Sequence, residues 1–462
     1  TPHPERKSLL VDAGMLIADL PNYSMSIERA FRMTYGLDRA NSSIEKARVL
    51  GDMTTLNLRL HFSTARLPLP PLAPPPPNTP VPTPPKVLPD ARSMFVGMVY
   101  SFTKLPEQTM PARETDPRVG HFFDTVTDLS TDIQPNPKRF LVNRWRLEKA
   151  DPAAALSEPR QPIVFWLDKN IPPLYRQAVT EGILEWNKAF ERIGFKSAVV
   201  AKQQGEDDDF DTLDARHASI RWFVGSDVGF ARGPSQTDPR SGEIIDADIA
   251  MSDVFGRGAR RFRVESVGGA AAEAPHDHQH DAQACDYADQ AAAEFGFALD
   301  LLDARGEIAT DGPEAEAFAK SVVRDTIMHE VGHTLGLTHN FKASTVYTRA
   351  QLQDKEFTEK NGISGSVMDY NAYNIAAAGE KQGSFNNTTI GPYDYWAIEY
   401  AYKPIAAADE KAELARIAAR SETDPLLAFA NDPDAGGFPG AEGIDPLVNR
   451  FDLADDPLAY FQ

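Results

Sequence analysis

The chain has 462 residues and a formal net charge of -20, so its length allows two or three domains. Its acidity argues against nucleic acid or an anionic membrane surface as the main partner, because both are bound through clustered Lys and Arg. No apolar stretch reaches the roughly 18 residues that a transmembrane helix needs. A single cysteine, Cys285, excludes an internal disulfide and any multi-cysteine zinc site.

Residues 1–155 are predicted to form a β-rich N-terminal region. Within it, four apolar residues alternate with polar ones, as in a half-buried strand: Leu56, Leu58, Leu60 and Phe62. Similar patterns predict strands at 94–102 and 139–145. The intervening proline-rich loop, 67–89, is expected to be an extended surface spacer, and a docking site for a proline-recognising partner is the alternative.

Residues 156–404 are predicted to form an α/β domain. Short apolar runs predict strands at 162–168, 197–202 and 218–225, and two prolines open a helix over 172–194. The stretch 242–252 alternates Ile245, Ala247 and Ile249 with aspartates. We interpret it as a half-polar edge strand, beginning at Glu243, that could pair with an extended peptide.

An insertion at about 257–316 is expected to contain one strand and one helix. The segment "HDHQHD" places His276, His278 and His280 at alternating positions, which we interpret as a solvated loop, with a second metal site as the alternative. Cys285 is interpreted as a small buried apolar residue, and an inhibitory thiolate on the metal is the alternative. The last part, 405–462, is expected to be a helical or irregular extension that is truncated.

The chemical signal lies in "HEVGHTLGLTH". Val323, Ile327, Val331 and Leu335 recur every four residues, which predicts the buried face of a helix. His329 and His333 have the same spacing, so one zinc ion could bind both imidazoles.

Three further features of this segment point to catalysis. Glu330 lies close enough on the helix to act as a general base without binding metal. Gly336 can take the left-handed conformation that turns the chain back, so that His339 supplies a third nitrogen. Three protein ligands leave an open position on zinc, as in catalytic sites.

About thirty residues later, "SVMDYN" contains Met368 and Tyr370. The histidine motif followed by this methionine resembles the metzincin clan of zinc endopeptidases. The resemblance implies that Met368 forms a hydrophobic floor beneath the zinc. It also implies that Tyr370 helps to bind zinc or the transition state. Asn340 is a departure, since other branches often have an acidic residue or proline after the third histidine.

Other segments, among them "NRWRLEK", "EWNKAFERIGF" and "YDYWAIEYAYKP", resemble bacterial EcxA-type zinc-dependent metalloproteases. This resemblance covers most of the chain from about Asp116 onward. It implies a metzincin-like α+β or α/β domain at 156–404, with a twisted mixed sheet, an antiparallel edge strand, an active-site helix and a Met-turn. It also implies export from a Gram-negative bacterium, to the periplasm, outer surface or medium. Because the chain begins at Thr1 without a methionine, a leader or another upstream segment is expected to have been removed.

The expected function is a Zn²⁺-dependent endopeptidase that acts on a protein or peptide, with Glu330 as base and Tyr370 as an oxyanion donor. One alternative is a non-catalytic or latent metzincin-fold binding protein, and another is a hydrolase of a non-peptide amide. The sequence leaves open the cleavage preference and the oligomeric state. It also leaves open whether residues 1–155 inhibit or support the catalytic domain.

Overall fold

A computed structural model describes the protein over residues 4–5, 11–69, 81–86, 88–133, 135–224, 231–253, 287–309, 312–435 and 443–460. Several predicted features lie outside these residues: 70–80 of the proline-rich loop, the strand expected near 260–266, the three histidines of "HDHQHD", and Cys285. Among the described residues, no helix is both long and apolar enough to cross a membrane.

The chain divides into two compact units, one of which is Thr1–Leu105 and the other almost all of the remainder. This division lies about fifty residues before the predicted boundary at 155. Hydrogen bonds explain why the division lies there, because residues that follow 105 are hydrogen-bonded to other parts of the larger unit. For example, Phe122 N donates to Gly336 O at 2.8 Å, and Arg144 N donates to Gly242 O at 3.0 Å.

The N-terminal unit contains a three-stranded antiparallel sheet of order β1-β2-β3. Its elements are α1 (Tyr23–Phe31), β1 (Gly36–Leu50), β2 (Met53–Ser63) and β3 (Ser93–Thr103). The predicted alternation on β2 is confirmed, since Leu56, Leu58, Leu60 and Phe62 are all buried. They pack in a separate hydrophobic core with residues of α1 and β3. Each contributes about 1.5–3 kcal/mol through burial.

The larger unit is built on a six-stranded sheet of order β10-β11-β8-β6-β7, with β9 also paired to β11. Its strands are β6 (Ile163–Leu167), β7 (Val199–Gln203), β8 (Ser219–Phe223), β9 (Ala231–Arg232), β10 (Ser235–Asp238) and β11 (Glu243–Ser252). The strands β7, β6, β8 and β11 are parallel, whereas β9 and β10 run antiparallel to β11. A separate hairpin consists of β4 (Phe123–Thr127) and β5 (Lys138–Val142).

The expectation that 242–252 forms the sheet edge is wrong. Strand β11 is paired on both sides, to β8 and to β9 and β10. Ala247 and Ile249 are buried, and Glu243 is buried in an ion pair with Arg146. The aspartates had suggested that one face of this strand is exposed to solvent. At least one of them is instead hydrogen-bonded within the sheet, since Asp248 accepts from Ser219 Oγ at 2.6 Å. Among the described residues, the edge on this side of the sheet is instead the stretch 231–238, and β7 lies at the other edge.

Helices cover the sheet and form the C-terminal part, as predicted. They are α2 (Pro173–Glu185), α3 (Asn187–Arg192), α4 (Tyr287–Ala304), α5 (Pro313–Thr334), α6 (Arg349–Leu352), α7 (Lys355–Asn361), α8 (Pro392–Tyr402), α9 (Glu410–Ala418) and α10 (Pro457–Tyr460). The single helix predicted for 172–194 is divided at Trp186, which is buried between α2 and α3. The mixed α/β architecture, β-rich at its N-terminus, is therefore confirmed.

Helix α5 is the central element of the larger unit. It crosses α2 closely at Gly182, where an added Cβ would lie 2.8 Å from Arg324 O. The four apolar residues predicted to share its buried face are all buried: Val323, Ile327, Val331 and Leu335. Because the second half of α5 is buried, the polar residues it carries lie inside the protein rather than at its surface.

Candidate metal centre

The end of helix α5 carries His329 and His333, both buried, with ring centroids 4.6 Å apart. The helix ends at Thr334, one residue after His333. Gly336 follows with φ +98°, and an added Cβ there would lie 2.0 Å from Asn143 O. Only glycine fits this turn without a steric clash, because a side chain would meet both an unfavourable φ and the neighbouring backbone.

The turn at Gly336 returns the chain so that His339 faces the two helical histidines. The Nε2 atoms of His333 and His339 are 3.1 Å apart. One ring nitrogen from each of the three histidines lies within 4.8 Å of the others, and in the described part of the chain this is the group that could hold a metal ion. The three residues predicted from spacing are thus brought together.

The outer nitrogens of the two helical histidines determine their tautomers. His329 Nδ1 lies 2.7 Å from Val367 O, and His333 Nδ1 lies 2.9 Å from Leu337 O. A carbonyl oxygen can only accept, so each Nδ1 carries the proton and each Nε2 keeps its lone pair for a metal. Backbone carbonyls thereby orient both rings, as outer hydrogen bonds do in known metal sites.

Burial also keeps these two rings neutral. It lowers the pKa of His333 to about 3 and that of His329 well below its usual value, with the neighbouring imidazoles adding to the effect. Metal binding requires neutral imidazole, so no protons need to be displaced from His329 or His333 at neutral pH. Three convergent imidazole nitrogens form a donor set that fits zinc, and three protein ligands are the number typical of catalytic zinc sites.

Glu330 is fully buried on the same helix. The stretch between β9 and β10 passes directly over it, since an added Cβ on Gly233 would lie 2.8 Å from Glu330 O and 3.3 Å from Glu330 Oε2. A glycine is therefore needed where the edge of the sheet meets this carboxylate. Sequence reasoning missed Gly233, because nothing in its local sequence links it to the histidine motif.

Met368 is fully buried and packs against helix α5 at Gly332. An added Cβ on Gly332 would lie 2.3 Å from Met368 Sδ, so the methionine lies against the helix between the two histidines. Asp394 on α8 holds this turn, accepting hydrogen bonds from Ser366 Oγ at 2.5 Å and Val367 N at 3.0 Å. Burial raises the pKa of Asp394 to about 6.

Tyr370 is nearly inaccessible to solvent and reaches the third histidine. Its hydroxyl lies 2.9 Å from His339 Nε2, and the two ring centroids are 4.7 Å apart. The hydroxyl oxygen therefore lies beside the nitrogen that would face a metal. The backbone of Tyr370 is held from the C-terminal part of the chain, because Phe451 N donates to Tyr370 O at 2.6 Å.

A carboxylate from the C-terminal part also contacts the third histidine. His339 Nδ1 lies 2.9 Å from Asp432 Oδ1 and 3.1 Å from Asp432 Oδ2. Burial opposes ionisation of Asp432, but the hydrogen bond from His339 outweighs this effect and lowers the pKa of the carboxyl. Sequence reasoning missed Asp432, since 93 residues separate it from its partner.

An exposed aromatic residue borders the centre as well. Phe122 lies with its ring centroid 5.7 Å from that of His333, and 39% of the residue is exposed. By contrast, the residues predicted to bind substrate on β11 are held within the sheet. None of Glu243, Ile245, Ala247 and Ile249 is on the edge strand.

Comparison with known families agrees with this geometry. The model of a family described as Met-zincin matches residues 311–462, which include all three histidines, Met368 and Tyr370. With the histidine triad, this match supports a metzincin-clan protein. A second family model, a domain of unknown function (DUF5117), matches residues 4–150. No curated protein and no solved structure matches the chain. The metzincin features support a zinc metalloprotease in general terms.

Proposed function

We propose that this protein is a zinc-dependent endopeptidase. The observation that carries the proposal is the convergence of His329, His333 and His339, with a buried glutamate on the same helix. The Met-zincin match to residues 311–462 supports it independently. On the resemblance to EcxA-type enzymes, we further propose that it is an exported bacterial protease.

In the proposed mechanism the three histidines would hold Zn²⁺, with the Nε2 atoms as the ligands. Bound zinc would polarise the scissile carbonyl and lower the pKa of water toward about 7. Glu330 accepts the proton of the attacking water and then donates it to the leaving amine. The Tyr370 hydroxyl, 2.9 Å from His339 Nε2, would donate a hydrogen bond to the developing oxyanion.

The outer edge of 231–238 is the proposed site for the substrate backbone. It replaces β11, which the sequence pattern placed at the edge. Among the described residues, β10 is the outermost strand on this side of the sheet. An extended peptide can add to such an edge through main-chain hydrogen bonds. Since Gly233 lies against Glu330, a peptide on this edge would carry its scissile bond past the proposed base.

The first experiment compares the parent chain with Glu330→Gln, which keeps the shape of the side chain but cannot accept a proton. Both are incubated with a denatured protein and a diverse peptide pool. Zinc content is measured by elemental analysis and cleavage by mass spectrometry. We expect one zinc per chain in both and at least a roughly 100-fold loss of cleavage in the variant.

The matched control is Glu316→Gln, on the same helix but in a surface pair with Lys320. It should cleave like the parent. Equal cleavage by parent and Glu330→Gln would show that Glu330 is not the base. Zinc binding without cleavage by the parent would favour the latent or non-catalytic alternative, and hydrolysis of small amides but no peptides would favour the third hypothesis.

A further inference from the structure

The third histidine differs from the other two in what holds its outer nitrogen. His329 and His333 donate to backbone carbonyls, whereas His339 meets both oxygens of a carboxylate. His339 lies on the turn after α5 rather than on the helix. His339 is therefore the ligand whose outer nitrogen is held by a side chain rather than by the backbone.

We propose that Asp432 is a positioning residue for His339 and that the C-terminal segment is thereby part of the metal centre. This inference rests on the proposed zinc-binding function. The carboxylate accepts a hydrogen bond from Nδ1–H of His339. This leaves Nε2 with its lone pair for the metal and makes the imidazole a stronger donor. Asp432 is not part of the histidine group that could hold the metal, so its effect would pass through His339.

The position of Asp432 is determined by hydrogen bonds just before it. Phe341 N donates to Ala430 O at 2.8 Å, Asn340 Nδ2 donates to Ala428 O at 3.0 Å, and Ala430 N donates to Asn340 Oδ1 at 3.2 Å. Residues 428–430 are thus tied to the two residues that follow His339. Asn340, which departs from the usual metzincin pattern, makes two of these three hydrogen bonds.

Hydrogen bonds just after Asp432 hold it from the other side. Asn431 N donates to Asp434 Oδ2 at 3.1 Å, and Ala435 N donates to Asn431 O at 3.2 Å. Ala435 is fully buried. Because both flanks are anchored, the carboxylate is presented to His339 by an ordered turn, which lowers the conformational entropy lost in forming the pair.

The test measures zinc affinity of the full chain, independently of cleavage. Metal-free protein is titrated with Zn²⁺ against a chromophoric chelator of known affinity. We expect Asp432→Ala and Asp432→Asn to bind zinc about 10–100-fold more weakly than the parent. Asp432→Glu, which restores the carboxylate, should recover most of the affinity. With Co²⁺ in place of zinc, the visible absorption of the Ala and Asn variants should shift, reporting a reoriented ligand.

The matched control is Asp445→Asn, which removes a carboxylate from the same C-terminal part of the chain. Asp445 accepts from Lys342 Nζ at 2.6 Å and contacts no histidine of the centre. It should bind zinc like the parent. Parent-like zinc affinity and Co²⁺ spectra in Asp432→Ala, with a lower melting temperature of the metal-free protein, would show a merely structural pair and overturn the inference.

The outcomes also separate this inference from the proposed function. If the parent binds zinc and the Asp432 variants bind it more weakly, but the parent cleaves nothing, the positioning role stands and the protease function fails. If the parent cleaves peptides and all variants bind zinc equally, the function stands and the positioning role fails. A parent chain that binds no zinc would overturn both.

Discussion

At the scale of single residues, two glycines allow the histidine motif to take its shape. Gly336 permits a positive φ beside Asn143 O, and Gly332 makes room for Met368 Sδ against the helix. The first could be predicted from the motif, because a turn must precede a third ligand. The second could not, since its reason is a contact with a residue 36 positions away that no local spacing rule reveals.

Asp325, one helical turn before His329, should make stability depend on pH. Burial raises its pKa to about 7, although hydrogen bonds from Asn387 and Asn386 oppose this shift. Aspartate in an unfolded chain titrates near 4. Between these values the folded protein binds more protons than the unfolded chain, so this residue's contribution to the free energy of unfolding falls as pH rises from about 4 to about 7.

We expect Asp325→Asn to remove that pH-dependent loss and to be more stable than the parent at pH 8 by roughly 1–4 kcal/mol. The two proteins should converge toward pH 4. Urea unfolding of the metal-free forms, measured across pH 4–8 with chelator present, tests this. Asp300→Asn, at an exposed position of α4, serves as the control and should follow the parent curve. A constant difference between Asp325→Asn and parent at every pH would contradict the prediction.

At the scale of elements, the periodicity of apolar residues predicted which face of a helix or strand is buried. It did not predict which strands lie next to one another in the sheet. The four-residue spacing predicted helix α5, and alternation predicted β2, because in both cases one face is buried against a single core. The same alternation misplaced β11 at the sheet edge. Its aspartates are accommodated by neighbouring strands, as Asp248 is by Ser219, and sequence alone does not say which strand lies beside it.

Helix α8 should prove essential for the turn that carries Met368. Asp394 on this helix accepts from Val367 N, Ser366 Oγ and Gly391 N, and all of these groups are buried. Asp394→Ala leaves them without an acceptor, at a cost of about 1–3 kcal/mol for each unsatisfied donor. We expect a loss of several kcal/mol in the free energy of unfolding, together with weaker zinc binding.

Chemical denaturation and zinc titration test the role of Asp394. The control is Asp409→Ala, because Asp409 precedes α9 without capping it through its side chain and is exposed. That variant should change the free energy of unfolding by less than about 0.5 kcal/mol. If both variants unfold at the same denaturant concentration as the parent, α8 does not hold the turn in the way proposed.

At the scale of the whole molecule, the compact units and the family matches divide the chain differently. The DUF5117 match extends over 4–150, whereas the first compact unit is Thr1–Leu105. Residues 106–150 therefore share a family model with the N-terminal unit but pack in the larger one. The Met-zincin match begins at 311, so it does not include the strands of the sheet.

We accordingly expect that the metal centre forms only when the stretch 106–160 is present. Arg113 Nη1 donates to the carbonyls of Tyr400 and Ala401 at the end of α8, and Trp145 Nε1 donates to Thr334 O at the end of α5. Phe122 N bonds to the turn at Gly336. Removing this stretch leaves several buried acceptors unpaired and exposes the core around Val119 and Val142.

We therefore expect a chain of residues 106–462 to unfold cooperatively and bind one zinc, because the described residues of its hydrophobic core all lie after 105. A chain of residues 161–462 should aggregate or melt without a cooperative transition. Thermal denaturation and elemental analysis of both would decide. If the shorter chain folded and bound zinc as tightly as the longer one, the contacts of Arg113, Phe122 and Trp145 would be dispensable. The catalytic unit would then begin close to residue 156, as the sequence predicts.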